Sequence, residues 1–262
     1  MNLGTLTTVF TALLGLIVGS FVNVLVARLP EGRSIVRPGS HCPGCKAPIR
    51  WWDNLPVLSY LALMGKCRTC KARISVRYPL IELLTALLFV AALFRTGWGF
   101  HLFVRDWPLM TVLVAITFID LEHRIIPDVL SLSGAALGVL TGIMGLSDRI
   151  DGYGALMGAS VGFGIFYAFA WLYQRYSGRS GLGGGDIKLL GMLGAFLGPA
   201  GVFCAILVSS VFGSVVGIGW ALVSRKENIL SVAIPYGPFL VFGGLYYYLL
   251  GDILWLQFMT PT

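Results

Sequence analysis

Two aspartates stand at the ends of apolar runs, where a carboxylate can do acid–base chemistry. Asp120 follows Ile119, and Asp186 closes the stretch Gly181-Leu-Gly-Gly-Gly-Asp186. Two carboxylates that share one proton can hydrolyse a peptide bond, because the ionised one activates water while the protonated one donates to the carbonyl oxygen. A glycine run lets a substrate strand approach closely. The two residues therefore predict an aspartic protease centre.

Structural roles for the same carboxylates stay open at this point. Asp186 is also placed to cap the helix that follows it, and Asp120 to pair with Arg124 one helical turn later. Asp128 follows Pro127 and is interpreted first as a helix cap and second as a further catalytic candidate. The residue types alone do not decide between these roles.

Four of the five cysteines form two pairs with the spacing of metal-binding knuckles. The pairs are Cys42/Cys45 and Cys67/Cys70, with 21 residues between them. Each Cys-x-x-Cys turn can point two thiolates at one metal, so the pattern predicts a tetrahedral zinc site. Two disulfides, a redox role and reduced thiols are the alternatives. Cys204 lies inside an apolar run and is expected to be a small packing residue.

The amino-acid composition indicates the class of protein in which these aspartates and cysteines lie. The chain has 262 residues, of which 56% are hydrophobic and 12% charged, and its mean hydropathy is +0.82. A soluble domain carries about 25% charged residues, and a disordered chain needs low hydrophobicity, so both classes are excluded. The net charge of +7 is expected to reflect the charged loops of a membrane protein, and no nucleic-acid partner is predicted.

The apolar runs predict an all-α polytopic membrane protein with about eight transmembrane helices. A span needs about 20 apolar residues, and the predicted spans are 5–27, 79–95, 107–121, 129–146, 153–173, 187–204, 206–223 and 236–256. Gly198-Pro199 divides the long run 187–223 into two spans. Glycines that recur four residues apart, such as Gly15/Gly19 and Gly158/Gly162, are expected to let helices pack closely.

The basic residues predict the orientation of the chain in the membrane. Segment 28–77 holds ten Lys and Arg against two acids, so it is expected to face the cytoplasm, with the amino terminus outside. With eight spans, sixteen basic residues lie inside and three outside. Both Asp120 and Asp186 then lie at the cytoplasmic border, and the basic loop is expected to contact anionic lipid.

Glu82 is an ionisable residue about one turn into a predicted span. Such residues are costly in lipid and are functional candidates by default. Glu82 is therefore either a packing partner for a loop arginine or a site residue. Trp52 and Tyr60 could stack on an adenine, although anchoring at the membrane interface is the favoured interpretation of these aromatics.

An ordered set of motifs runs from residue 19 to residue 238. The motifs are Gly19-Ser-Phe-x-Asn23, the two cysteine pairs, Asn54-Leu-Pro-x-x-Ser-Tyr60, Arg77-Tyr-Pro-x-x-Glu82, Ile119-Asp120 with Ile126-Pro-Asp128, Gly183-Gly-Gly-Asp186-x-Lys188 and Pro235-Tyr-Gly-Pro238. In this combination and order the chain resembles the type IV prepilin peptidase family, and the resemblance covers nearly the whole chain.

The resemblance implies a bifunctional, multi-pass enzyme of the bacterial inner membrane with its active site facing the cytoplasm. Such enzymes cleave the basic leader of type IV prepilins or pseudopilins after a glycine and then methylate the new amino terminus with S-adenosylmethionine. Asp120 and Asp186 match the two catalytic positions, whereas Asp128 matches the Pro-Asp downstream of the first. Cofactor contacts are unknown, with Glu82, Trp52 and Tyr60 as weak candidates.

The resemblance also implies a division of the chain. Residues 1–27 are expected to form the first span, 28–78 a cytoplasmic tetracysteine loop associated with methylation, and 79–262 the membrane-embedded protease core. The alternative is a protease of the Gly-x-Gly-Asp type that cleaves without methylating. A membrane thiol-redox protein and a transporter are weaker rivals, since the cysteines lie on the reducing side and the aspartates at the inner edge.

Overall fold

The computed structural model describes residues 2–178, 183–224 and 235–259. Three basic residues that support the predicted orientation, Arg179, Arg225 and Lys226, lie outside these ranges, as does Gly181 of the glycine run. The described residues form helices and no β-strand, apart from two isolated bridges in the cysteine loop. The all-α prediction is confirmed.

Eight α-helices follow one another along the described chain. They are α1 (Leu3–Arg28), α2 (Leu58–Ala62), α3 (Arg77–Thr96), α4 (Trp107–His123), α5 (Asp128–Ile143), α6 (Gly152–Ser177), α7 (Gly184–Ser224) and α8 (Gly237–Met259). A 3-10 helix, Trp51–Asn54, precedes α2, and a π-helical segment, Leu102–Asp106, continues into α4. Within the described residues, five helices are long and apolar enough to cross a membrane, namely α1, α3, Leu102–His123, α6 and Gly184–Trp220, while α5 is apolar but shorter.

Helix α7 is broken in the middle and folds back on itself. Gly198 has φ 71° and ψ −179°, a conformation that essentially only glycine adopts. A methyl group on Gly243 of α8 would lie 2.9 Å from Ala205 Cα, and one on the adjacent Gly244 would lie 2.7 Å from Leu193 Cδ2. An unbroken helix would separate residues 193 and 205 by about 18 Å. The predicted hairpin at Gly198-Pro199 is therefore confirmed, with arms 184–197 and 199–224.

The contacts divide the chain into two compact units, Met1–Ala115 and Ile116–Thr262. In the first unit, α1 packs on α3, and a methyl group on Gly19 would lie 2.6 Å from Glu82 Cα. In the second unit, α7 lies at the centre and packs against α5, α6 and α8. A methyl group on Gly158 of α6 would lie 2.7 Å from Gly198 Cα. These approaches confirm that the spaced glycines are helix-packing residues.

Candidate active site and tetracysteine cluster

Asp120 lies in the last turn of α4 and is fixed by the start of α8. Its side chain is buried, with 5% of its surface exposed. Oδ2 accepts a hydrogen bond of 3.0 Å from the backbone N–H of Gly237, one of the N–H groups that a helix leaves without an intrahelical partner at its first turn. A methyl group on Gly237 would lie 2.7 Å from the same oxygen, so only glycine allows this approach.

Gly237 is a site residue that sequence reasoning missed. It stands in the motif Pro235-Tyr-Gly-Pro238, to which the sequence alone gives no role. A signal was present, because a glycine followed by proline at a helix start is where backbone N–H groups are free to bind an anion.

Asp186 lies in the first turn of α7 and is half-buried. Its backbone N–H donates to Gly183 O at 3.1 Å, and its carboxylate is close enough to Asp120 for the two charges to interact. The side chain of Ile126 joins the two sites: methyl groups on Gly185 and Gly237 would lie 2.8 Å and 3.2 Å from it. The two sequence-predicted aspartates are thus brought together within one unit.

Asp128 has a different environment from the two aspartates. Its Oδ1 forms an ion pair of 2.6 Å with Lys188 Nζ, and its side chain is 61% exposed. The helix cap of α5 is Pro127, which gives no side-chain hydrogen bond, so the interpretation of Asp128 as the cap is wrong. Asp120 also does not pair with Arg124 in the described chain; instead the Arg124 N–H donates to the Asp120 carbonyl at 2.9 Å.

A cavity of about 310 Å³ lies beside the start of α8. Its lining consists of Ser210, Gly213, Ser214, Tyr236 and Phe239, none of which is charged. The Tyr236 hydroxyl lies 2.8 Å from Ser209 Oγ. Because Tyr236 immediately precedes Gly237, the cavity adjoins the backbone group that holds Asp120.

The four paired cysteines converge on one point in the first unit. The sulfur atoms of Cys42, Cys45, Cys67 and Cys70 all lie within 4.8 Å of one another, and the Cys42 and Cys70 sulfurs are 3.8 Å apart. A tetrahedron of thiolates with zinc–sulfur bonds of about 2.3 Å has edges of about 3.8 Å. The donor set and its spacing therefore fit zinc.

The two knuckles have the same backbone geometry. Cys42 N–H donates to Ala47 O at 2.9 Å, and Cys67 N–H donates to Ala72 O at 2.8 Å. The residue after each pair, Lys46 or Lys71, has a φ near 60°. The sequence signal for this symmetry is the repeat Cys-x-x-Cys-Lys-Ala-x-Ile at 42–49 and 67–74, which sequence reasoning did not notice.

The electrostatics of the first knuckle favour metal binding. The backbone N–H groups of Cys45 and Gly44 lower the pKa of the Cys42 thiol to about 6. Desolvation and the three neighbouring thiols raise the pKa of Cys70 to about 11, so Cys42 is the member of this pair that more readily gives the thiolate, the form that ligates a metal.

The segment between the two cysteine knuckles contains Trp52 and Tyr60, the aromatic candidates for contact with the cofactor. Arg68 holds Asp53 through two nitrogens, with distances of 2.6 to 3.0 Å, and this contact keeps the pKa of Asp53 below its usual range. Trp52 lies in the 3-10 helix under Arg50, whose guanidinium carbon is 5.4 Å from the ring centroid. Tyr60 lies in α2. A role for Trp52 or Tyr60 in cofactor binding stays a prediction.

Glu82 is buried in α3 and ties the loop to the helices of its unit. Its exposed fraction is 7%, and Oε2 accepts a hydrogen bond of 2.8 Å from the Val57 N–H. Val57 has φ 60° and ψ −47°, which is a strained conformation for a β-branched residue. The expected partner was a loop arginine, whereas the contacts that the structure gives are with the loop backbone at Val57 and with the Ser20 side chain of α1. A direct role for Glu82 in cofactor binding stays a prediction.

Comparison with known proteins supplies the family. The bacterial peptidase A24 N-terminal domain matches residues 13–96, and the type IV leader peptidase family matches residues 107–218. The prepilin leader peptidase/N-methyltransferase of Pseudomonas aeruginosa is 40% identical over 92% of this chain and 90% of its own length. The chain belongs to the type IV leader peptidase family.

Other relatives and the two domain matches agree with this membership. The prepilin leader peptidase/N-methyltransferase of Myxococcus xanthus is 46% identical over 86% of this chain and 66% of its own length. The protein of the same name from Aeromonas hydrophila is 38% identical over 95% of this chain and 92% of its own length. No solved structure matches significantly. The N-terminal match contains the cysteine cluster and Glu82, and the second match contains Asp120 and Asp186.

Proposed function

We propose that this chain cleaves the leader of type IV prepilins or pseudopilins after a glycine, and then methylates the new amino terminus with S-adenosylmethionine. The observation that carries the proposal is the convergence of Asp120 and Asp186 inside the segment that matches the leader peptidase family. The relatives, which are named as both peptidase and N-methyltransferase, support the second reaction.

The two carboxylates supply the acid–base chemistry of cleavage. One carboxylate, ionised, takes a proton from water as the oxygen attacks the scissile carbonyl, and the other, protonated, donates to the carbonyl oxygen. The tetrahedral intermediate collapses when the amide nitrogen takes up a proton and leaves as an amine. The Gly237 N–H fixes one oxygen of Asp120 and so holds that carboxylate in one orientation.

The surroundings of the site suit the two parts of a prepilin. The apolar helix of the prepilin would lie in the membrane, and the uncharged cavity beside Tyr236 offers a place for the start of that helix. The basic leader would lie in the cytoplasm, the side on which the positive-inside rule places segment 28–77. Lipid is the expected surrounding of the apolar helices, in the bacterial inner membrane.

The first unit would serve the methylation step. Cys42, Cys45, Cys67 and Cys70 would hold a structural zinc ion, which would stabilise a loop with few apolar residues. S-adenosylmethionine supplies the methyl group when bound. Trp52, with 43% of its surface exposed, is a candidate for contact with the adenine, and Glu82 and Tyr60 are the other candidates.

Mass spectrometry of a prepilin incubated with purified protein and S-adenosylmethionine tests the proposal. The wild type is expected to remove the leader and to add one methyl group. Asp120→Asn and Asp186→Asn should each lower cleavage by at least about a thousandfold, while Asp148→Asn, in the connection between α5 and α6, should leave it unchanged. A variant of either catalytic aspartate that cleaves at the wild-type rate would refute the assignment. Cleavage without methylation would leave the cleavage-only alternative.

A further inference from the structure

The two catalytic aspartates stand on different helices, and one short segment connects them in space. Asp120 lies at the end of α4, and the chain turns sharply at Arg124, which has φ 55°. Segment 124–128 then crosses to the start of α5. The relative position of the two carboxylates therefore depends on how this segment is attached to α7, which carries Asp186.

Segment 124–128 is attached to α7 at two points. The first point is apolar: Ile126 is 9% exposed and packs against Gly185, the residue before Asp186. The second point is ionic: Asp128 Oδ1 lies 2.6 Å from Nζ of Lys188, two residues after Asp186. These two contacts flank Asp186 on both sides along the chain.

From this geometry we infer that Lys188 and Asp128 are positioning residues, and that their ion pair sets the distance between the catalytic carboxylates. The inference rests on the proposed peptidase activity. Lys188 acts through Asp128 and the α4–α5 turn, so neither residue needs to touch the reacting atoms. Because an aspartic pair works only when both carboxylates reach one water molecule, a small displacement of Asp186 from Asp120 lowers turnover.

The ion pair is only partly shielded from solvent, and this limits the size of the effect. The Lys188 and Asp128 side chains are 30% and 61% exposed. A pair of this exposure changes a conformational equilibrium by about fivefold at most. The same exposure makes the pair weaker at high salt, because ions in solution screen charges that solvent reaches.

The test is cleavage kinetics with variants that break and then rebuild the pair. Asp128→Asn and Lys188→Met should each lower kcat, by up to about fivefold, with KM unchanged. Asp128→Lys combined with Lys188→Asp should restore kcat to within twofold, because the exchanged charges span the same gap. Wild-type kcat should fall toward that of the single variants at 1 M salt, whereas kcat of the single variants should be insensitive to salt.

A second ion pair of the same length provides the matched control. Arg33 and Glu31 are also 2.6 Å apart, and their side chains are 50% and 55% exposed. Glu31→Gln and Arg33→Met should leave kcat unchanged. Single variants of Asp128 or Lys188 with wild-type kcat would overturn the inference, as would a failure of the exchanged pair to recover. A rise in KM at constant kcat would also overturn it, because it would place these residues in substrate binding.

A distance measurement separates this inference from the proposed function. Spin labels, introduced as non-natural amino acids at the exposed positions Leu121 and Gly184, report the separation of the two aspartate-bearing helix ends. Wild type and the exchanged pair should give one narrow distance distribution, and either single variant a broad one. Equal distributions in all four proteins would refute the positioning role. Absence of prepilin cleavage by wild type would refute the proposed function and leave this readout intact.

Discussion

Replacing Glu82 should separate the two reactions of this protein. In Glu82→Ala the Val57 N–H loses its acceptor, a buried carboxylate oxygen 2.8 Å away. Methylation is then expected to fall by about 10- to 100-fold, whereas leader cleavage should stay within about twofold of wild type. The reason is that Glu82 and Val57 both lie in the unit that ends at Ala115, whereas the two aspartates proposed to catalyse cleavage both follow it.

The size of the effect follows from two opposing free energies. A hydrogen bond to a charged group stabilises a structure by about 1.5–3 kcal/mol, and a strained backbone such as that of Val57 costs about 1–3 kcal/mol. The bond and the strain are thus of similar size, so that loss of the bond releases the segment around Val57. At about 1.4 kcal/mol for each factor of ten, the equilibrium constant for docking the Val57 segment on α3 falls by about 10- to 100-fold.

The assay uses a pilin that already lacks its leader, so that methyl transfer from S-adenosylmethionine is measured without prior cleavage. Glu82→Gln keeps an acceptor without the charge and should lose about fivefold. Val57→Gly removes the strain, because glycine adopts positive φ freely, and should recover part of the loss when combined with Glu82→Ala. Glu31→Ala, at an exposed glutamate of the same unit, should have no effect.

Two outcomes would contradict this reasoning. The first is a Glu82→Ala protein whose cleavage and methylation fall by the same factor, which would indicate general misfolding. The second is a double variant with Val57→Gly that recovers nothing, which would mean that Glu82 acts on the cofactor and not through the loop. Zinc content, measured in each variant, should remain at the wild-type level.

Three further predictions concern packing, substrate entry and the metal. Gly158→Ala places a methyl group 2.7 Å from Gly198 Cα and should destabilise the protein by about 1–3 kcal/mol in thermal unfolding, whereas Gly164→Ala, with open space around it, should not. Gly213→Leu fills the cavity beside Tyr236 and should raise KM for full-length prepilin about tenfold, whereas Gly219→Leu on the same helix should leave KM unchanged. Equal KM values for Gly213→Leu and wild type would exclude this cavity from substrate binding. Cys70→Ser should lower bound zinc, measured by metal analysis, together with methylation, while cleavage persists; retention of stoichiometric zinc would disprove the four-thiolate site.

The sequence predicted features that depend on a residue type that is rare in its local surroundings. Asp120 and Asp186 stand out because carboxylates are rare in apolar runs, and the structure brings them together. The break in α7 was predictable because Gly198-Pro199 is a local turn signal. The zinc-type spacing of the cysteines was likewise visible in the chain itself, and their sulfurs converge.

Contacts between distant residues could not be predicted in this way. The bond from Gly237 to Asp120 spans 117 residues, and the ion pair of Lys188 with Asp128 spans 60. No periodicity or local propensity encodes such pairs, because they depend on how helices pack in three dimensions. The candidate reactive groups are therefore visible in the sequence, whereas the residues that contact them become visible only in the folded chain.

The hairpin in α7 also determines how much hydrocarbon surrounds the aspartates. The arm 184–197 that carries Asp186 is about 21 Å long, and the 16-residue helix α5 beside it is about 24 Å long. The hydrocarbon layer of a bilayer is about 30 Å thick. Two neighbouring helices that fall short of this thickness thin the bilayer locally or leave their polar ends below its surface. Either adjustment brings bulk water closer to the half-buried Asp186 at the start of its arm, and so shortens the path that a water molecule must take from solvent to this carboxylate.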